Sequence, residues 1–314
     1  MTTYLVKRLI VLILTLLLVS IVIFVVMRII PGDPAQIILG IQATPEAVAA
    51  LREQLGLDRP LVVQYLSWIG ALVKGDMGHS INYGVSISEL VIQRLTVTAP
   101  LTLLAVLFSV AISIPMGIYA STHQNRPGDY GVMIFSQIGL AIPAFWAGLL
   151  LILLFAVHLN WFASGGFPGW SKSFSGSIKS LLLPAVALGL IRAAVLARLT
   201  RSSLLEVLRE DYIQTARSKG LGERVVIYKH AFRNAVIPVL TILGLQIGQL
   251  LAGAIIIEQV FFLPGLGRLV YLAINQRDLP VVQAVVLLIA SIIVIVNFLV
   301  DLMYVLLDPR IRLE

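Results

Sequence analysis

No cysteine occurs in the 314 residues, so disulfides and thiolate metal ligands are excluded, and the redox compartment leaves no trace. Charge is scarce as well. Only 12% of the residues are Asp, Glu, Lys or Arg, where a soluble domain carries roughly 25%. The four histidines, His79, His123, His158 and His230, lie outside the apolar runs or at their ends, and no HExxH pair occurs. That argues against a metal held at mid-membrane depth. No GxxxxGK[ST] loop is present, so the chain does not cradle nucleotide by that route. Tandem repeats and low-complexity tracts are missing too. What remains is apolar, at 59% of residues, and a surplus of that size must face lipid.

The net charge of +7 would suit nucleic acid, but the basic residues collect in a few segments between apolar runs. The first run, Leu9 to Met27, follows Lys7 and Arg8 like a signal peptide. Its core is too long, and Arg28-Ile29-Ile30-Pro31 offers no small-residue cleavage site, so it reads as a retained span.

A helix crossing the hydrocarbon needs about 20 apolar residues. Six stretches qualify, at about 8–30, 97–121, 131–157, 181–200, 236–258 and 280–307. The chain therefore reads as one all-α membrane domain of six transmembrane helices. With both termini inside, the inner segments hold Lys7, Arg8, Arg126, the basic run from Arg198 to Arg233, Arg310 and Arg312. The outer ones hold Arg52, Arg59, Lys74, Arg94, Lys172, Lys179, Arg268 and Arg277, fewer although these segments are longer in total. The asymmetry predicts N-in, C-in.

The outer segment 31–96 is patterned. Thr44 as N-cap, Pro45 in the first turn and Gly56 as stop predict one helix with Val48, Leu51 and Leu55 on a face. Leu61 to Val73, with Tyr65 and Trp68, predicts a second at the membrane interface. Together they predict a small helical cap, since a connector of that length seldom lacks a role.

The inner segment 201–235 is the most informative. Leu205, Leu208 and Tyr212 fall on one helical face that Thr215 and Ala216 continue, while Arg209, Asp211, Arg217 and Lys219 fill the rest. Gly220 and Gly222 are expected to end this helix, and a second short one through Tyr228 and Phe232 leads to Pro238 and span five. Ser203-Leu204-Leu205-Glu206 fits a capping box, unless span four continues through it. Pattern alone leaves two uses open: a helix that transmits a push between two spans, or one lying on the inner leaflet.

Gln214-Thr215-Ala216-Arg217-Ser218-Lys219-Gly220 resembles the cytoplasmic loop motif of ABC importer permeases, in its peptide-importer form. The general motif has Glu-Ala-Ala and, after three residues, Gly; here Gln214, Thr215 and Ala216 stand for the three and Gly220 for the glycine. The general motif's later Ile-x-Leu-Pro is replaced by His230, Phe232 and Arg233 with Pro238 further on, as in the dipeptide, oligopeptide, glutathione and nickel permeases. Further elements of the same family run from Tyr4-Leu5-Val6-Lys7-Arg8-Leu9 through Pro31-Gly32-Asp33-Pro34, Leu55-Gly56-Leu57-Asp58-Arg59-Pro60 and Gly75-Asp76-Met77-Gly78-His79-Ser80. They continue with Glu258-Gln259-Val260-Phe261, Pro264-Gly265-Leu266-Gly267-Arg268, Arg277-Asp278-Leu279-Pro280 and Leu307-Asp308-Pro309-Arg310-Ile311-Arg312. The resemblance covers the chain and implies a division of labour. Two related permeases form the pore, two separate ATPases hydrolyse ATP with magnesium, and an extracytoplasmic binding protein delivers substrate. This chain would bind no cofactor, metal or nucleic acid and would catalyse nothing. Tyr212, Gln214, Thr215, Ala216, Arg217 and Gly220 would belong to a coupling helix seated on an ATPase. Di- or oligopeptides are the expected substrates, with glutathione or a nickel chelate as alternatives.

Within the spans, Gly244, Gly248 and Ala252 form a small-residue stripe that permits close helix approach, to a second permease or within this chain. Gln246 and Gln249 need partners or water at that depth and are candidate pathway residues. Arg192, Asn297 and Asp301 are costly in hydrocarbon, so Asp301 is expected to pair with Arg192 or Arg198. Glu258, at the outer end of span five, is expected to be solvated. Phe261, Phe262 and Pro264 beyond it would gate the pore or anchor at the interface. A secondary transporter would place ionisable groups near midplane, usually on inverted repeats, and an intramembrane hydrolase would need a nucleophile and base or metal ligands. The sequence offers few of the first and none of the rest.

Overall fold

The computed structural model describes residues 2–29, 34–40, 43–54 and 56–307. The expected Pro31-Gly32-Asp33 element, Leu55 and the closing Asp308-Pro309-Arg310-Ile311-Arg312 lie outside them. The described residues are helical, without a β-strand. In chain order the helices are α1 (Thr2–Ile29), α2 (Pro34–Leu39), α3 (Pro45–Gln54), α4 (Leu61–Val73), α5 (Ile87–Thr122), α6 (Pro127–Ala141) and α7 (Ala144–Leu151). There follow α8 (Phe174–Val207), α9 (Asp211–Ser218), α10 (Glu223–Val225), α11 (Phe232–Val260), α12 (Leu266–Asn275) and α13 (Leu279–Leu307). Wider π-type turns extend α7 over Ile152–His158 and join α10 to α11 over Val226–Ala231.

Among these, α1, α5, α8, the continuous Glu223–Val260 and α13 are long and apolar enough to cross a membrane. The stretch expected as a third straight span is instead two helices, α6 and α7, bent by 105°. Pro143 is the cause. The residue before a proline is pushed out of the helical region, and Ile142 is extended at φ −88°, ψ 121°. Pro100, Pro115, Pro184 and Pro238 lie inside helices that stay continuous, as membrane helices allow when neighbouring groups take up the freed carbonyls. Two boundaries also move. Span four continues to Val207, through the proposed capping box, and the short helix through Tyr228 merges with span five.

The chain divides into two compact units. One comprises Met1–Val97 and Gly265–Ile295. Its core joins Ile87, Leu90 and Val91 of α5 to Leu266, Leu269, Val270 and Ala273 of α12 and Val281, Val282 and Val285 of α13. Asp278 caps α13 and ties a loop to it, accepting from the Ser80 hydroxyl at 2.5 Å and the Asn82 amide at 3.1 Å. The helices expected in the outer segment form as read: Thr44 Oγ1 accepts from the Ala47 amide at 3.3 Å, and α4 runs Leu61–Val73. Tyr65 and Trp68 of α4 close on Phe24 of α1, with ring centroids 5.5 and 6.0 Å away.

The other unit comprises Thr98–Pro264 and Val296–Glu314. Its centre is α8, packed on α6, α7 and α11. Small residues let the neighbours approach: Ala185, Ala187, Gly189, Ala193, Ala194 and Ala197 are all buried. At Gly189 a β-carbon would stand 2.7 Å from the Ala105 carbonyl oxygen of α5, so no larger residue fits. Asp129, at the start of α6, takes both ends of the Arg201 guanidinium of α8 at 2.5 and 2.7 Å.

Candidate functional site

Helix α9 is the element that the sequence singles out, and its setting is specific. Glu210 precedes it in an extended conformation and Asp211 opens its first turn. It stops at Gly220, whose φ of +77° suits glycine and strains a residue with a β-carbon. Gly222 does not contribute to that stop, since it is at φ −63° and caps α10 instead.

The inward face of α9 is Ile213 and Ala216, buried with Ile118 of α5, Leu204 of α8 and Val226, Ala231 and Ala235 beyond. This corrects the face expected from Leu205, Leu208, Tyr212, Thr215 and Ala216. The chain leaves helical geometry between Val207 and Asp211, so a 3.6-residue period cannot be carried across that break. Ala216 packs inside. Asp211, Tyr212, Gln214, Thr215 and Ser218 are exposed, as is Lys219 at its end, with Arg217 half-buried.

Two polar contacts fasten α9 to the foot of span five. Asn234 Nδ2 donates to the Tyr212 hydroxyl at 2.7 Å. Arg217 Nε donates to Glu223 Oε1 at 2.8 Å across the Gly220 turn. Between them the span's foot is the π-type segment Val226–Ala231, a wider turn of a kind frequent at functional sites.

In the spans, the structure separates residues that the sequence grouped. Gly244 is buried, and a β-carbon there would clash with Val300 of α13, so this end of the stripe packs within the chain. Gly248 is buried and Ala252 exposed. Gln246 is buried, whereas Gln249 is exposed and accepts from Arg192 Nη1. Arg192 is thus found on an amide, Arg198 is exposed, and α8 carries an ion pair elsewhere, between Arg201 and Asp129. Sequence reasoning missed that pair because Arg201 and Asp129 lie at the ends of apolar runs, where a charge needs no partner.

At the far end of α11, Glu258 corrects another expectation: it is fully buried and accepts from Thr98 Oγ1 at 2.5 Å. Phe261 is buried, close to Gly148, and its carbonyl accepts from the Gly166 amide at 2.9 Å. Phe262 is its opposite, exposed and at φ +54°, with Pro264 half-buried nearby.

Residues 113–313 match the model of the binding-protein-dependent transport system inner membrane component, and residues 1–103 match that of its N-terminal region. The dipeptide transport system permease protein DppB of Alkalihalophilus pseudofirmus is 44% identical, covering 99% of this chain and 100% of its own. The di/tripeptide transport system permease protein DppB of Pseudomonas aeruginosa is 40% identical, and the glutathione transport system permease protein GsiC of Salmonella choleraesuis 41%, each over 99% of both chains. Among solved structures, an inward-facing MetNI methionine ABC transporter shares the fold at a TM-score of 0.57 and 18% identity, over 70% of this chain and 96% of that one.

Proposed function

Since the chain belongs to the family of binding-protein-dependent transport system inner membrane components, an ABC importer permease of the inner membrane, we propose that it forms half of a pore that imports di- or oligopeptides. The second half is a homologous permease, and the substrate arrives on an extracytoplasmic binding protein. Two ATPase subunits hold ATP and magnesium and drive the cycle. Both termini lie in the cytoplasm, with α2 to α4 forming the outer cap and α9 the cytoplasmic coupling helix.

The observation that carries this reading is α9 itself. It exposes Tyr212, Gln214, Thr215, Ser218 and Lys219 while Ile213 and Ala216 bind it to the body of the chain. A short exposed helix fastened to a membrane-spanning one is what a partner needs in order to move the pore. The pathway candidates are Gln246, Gln249, Phe262 and Pro264 along and beyond α11. Of the small-residue stripe, Ala252 is the exposed member and would meet the second permease, whereas Gly248 is buried within the chain and Gly244 is taken by Val300. Peptide is favoured by the two relatives named for dipeptides or di- and tripeptides. Glutathione, itself a modified tripeptide, is the second reading, favoured by the relative from Salmonella.

Vesicles containing the assembled transporter and its binding protein decide between the two. Labelled dipeptide should accumulate only with ATP inside the compartment that holds the ATPases, and glutathione should compete weakly. ATP-dependent glutathione uptake with no dipeptide uptake would exchange the substrate. Uptake that follows an ion gradient with no ATP would overturn the importer.

A further inference from the structure

The first unit holds a cavity of about 320 Å³ that the transport reading does not use. Phe24 and Arg28 of α1, Arg59, and Gln64, Ser67 and Trp68 of α4 are among its lining residues. Among the described residues that line it, two carry guanidinium groups and none a carboxylate. Among the described residues no acidic side chain pairs with either arginine; the carboxylate nearest in sequence, Asp58, meets Arg52 instead. Arg28 is held in place from two sides. It donates to Gln64 Oε1, and its Cζ lies 5.3 Å from the Phe24 ring centroid. Gln64 is fixed in turn, donating to the Leu57 and Arg59 carbonyls at 2.8 and 2.7 Å. Two cations with neutral donors and an indole, but no anion, make a receptor for a phosphate or carboxylate.

Position selects the source of that anion. Arg28 is in the last turn of the apolar span Leu5–Ile29, at the depth where hydrocarbon gives way to headgroups. Beside the cavity, Val25 and Ile29 of α1 and Leu61, Val62 and Leu66 of α4 are all exposed, and α4 has no buried residue. Those apolar surfaces need covering, and acyl chains cover them where the two helices meet. The volume sits at the lower end of the roughly 300–1,000 Å³ of small-molecule sites, more than a lone ion fills. We propose that this cavity binds the headgroup of one phospholipid, its phosphate between Arg28 and Arg59 and its chains along α1 and α4. The lipid completes the packing of the cap helix against the first span.

Native mass spectrometry of the full chain, delipidated in detergent and titrated with dihexanoyl phosphatidylglycerol, tests this. One lipid should bind saturably, and Arg28→Gln with Arg59→Gln should weaken it by about tenfold or more, as the loss of two charge-assisted contacts requires. Ser67→Trp keeps both charges but fills the cavity, and it should abolish the same binding event. If the double arginine variant fails to fold, Ser67→Trp decides alone. Unchanged affinity in either folded variant would overturn the site. Displacement of the lipid by an equal concentration of inorganic phosphate would overturn the lipid reading in favour of a soluble anion.

Discussion

At the scale of single residues, the best-defined charge in the membrane body is Asp129. Its carboxylate is buried, meets Arg201 at two points, and also accepts from the Asn125 amide at 3.0 Å. A pair of that geometry is costly to break from one side, because the remaining charge stays where water reaches it poorly. Asp129→Asn should destabilise the purified protein by about 1.5–3 kcal/mol, the usual worth of hydrogen bonds to a charged group, because Arg201 stays partly exposed. Replacing both residues with leucine should recover most of that loss, since a matched apolar pair carries no desolvation cost. Thermal unfolding in detergent reads both outcomes, and an Asp129→Asn protein as stable as wild type would dismiss the pair as incidental. Pairing of charge was legible in the sequence as a requirement. Its address was not: Arg192 could be seen to need a partner, but nothing local pointed to Gln249.

At the scale of elements, α9 and the foot of α11 behave as one mechanical piece in the proposed mechanism. Burial of Ile213 and Ala216 holds them together, and the contacts of Asn234 with Tyr212 and Arg217 with Glu223 fix their orientation. Each such hydrogen bond contributes about 0.5–1.5 kcal/mol net. Asn234→Ala combined with Arg217→Gln should therefore raise amide hydrogen exchange in Asp211–Ser218 by about tenfold, while the core of α8 keeps its protection. Equal exchange in both proteins would mean that the polar contacts do not fasten the helix. The existence of α9, its glycine stop and the extent of α3 and α4 could be read from caps and period. The face of α9 could not, since no single helical period runs through Leu208, where α8 has already ended. The bend at Pro143 is locally encoded but hidden by the apolar residues on both sides, which make one continuous run.

At the scale of the whole molecule, hydropathy alone made the all-helical membrane architecture plain, and the basic residues gave the proposed orientation. The cysteine-free sequence makes orientation easy to test. Cysteines at the exposed Ser171 and Ser218 should respond differently to an impermeant thiol reagent on intact cells, with Ser171→Cys labelled and Ser218→Cys spared. The reverse pattern would invert the topology and move α9 to the wrong side for an ATPase. Burial inside the chain, as of Glu258 and Phe261, stayed hidden, because a span end looks alike in sequence whether it meets water or a neighbouring helix.

The central claim is that the exposed face of α9 receives the movement of an ATPase and passes it to span five. Thr215→Arg puts a long cation on that face without entering the cluster around Ala216, so folding and assembly should be unaffected. The decisive measurement is ATP hydrolysis by the assembled transporter in lipid, with and without its binding protein. Stimulation by the binding protein should be lost in Thr215→Arg, and substrate uptake with it, at wild-type levels of assembled complex. Full stimulation in an assembled Thr215→Arg transporter would contradict the account.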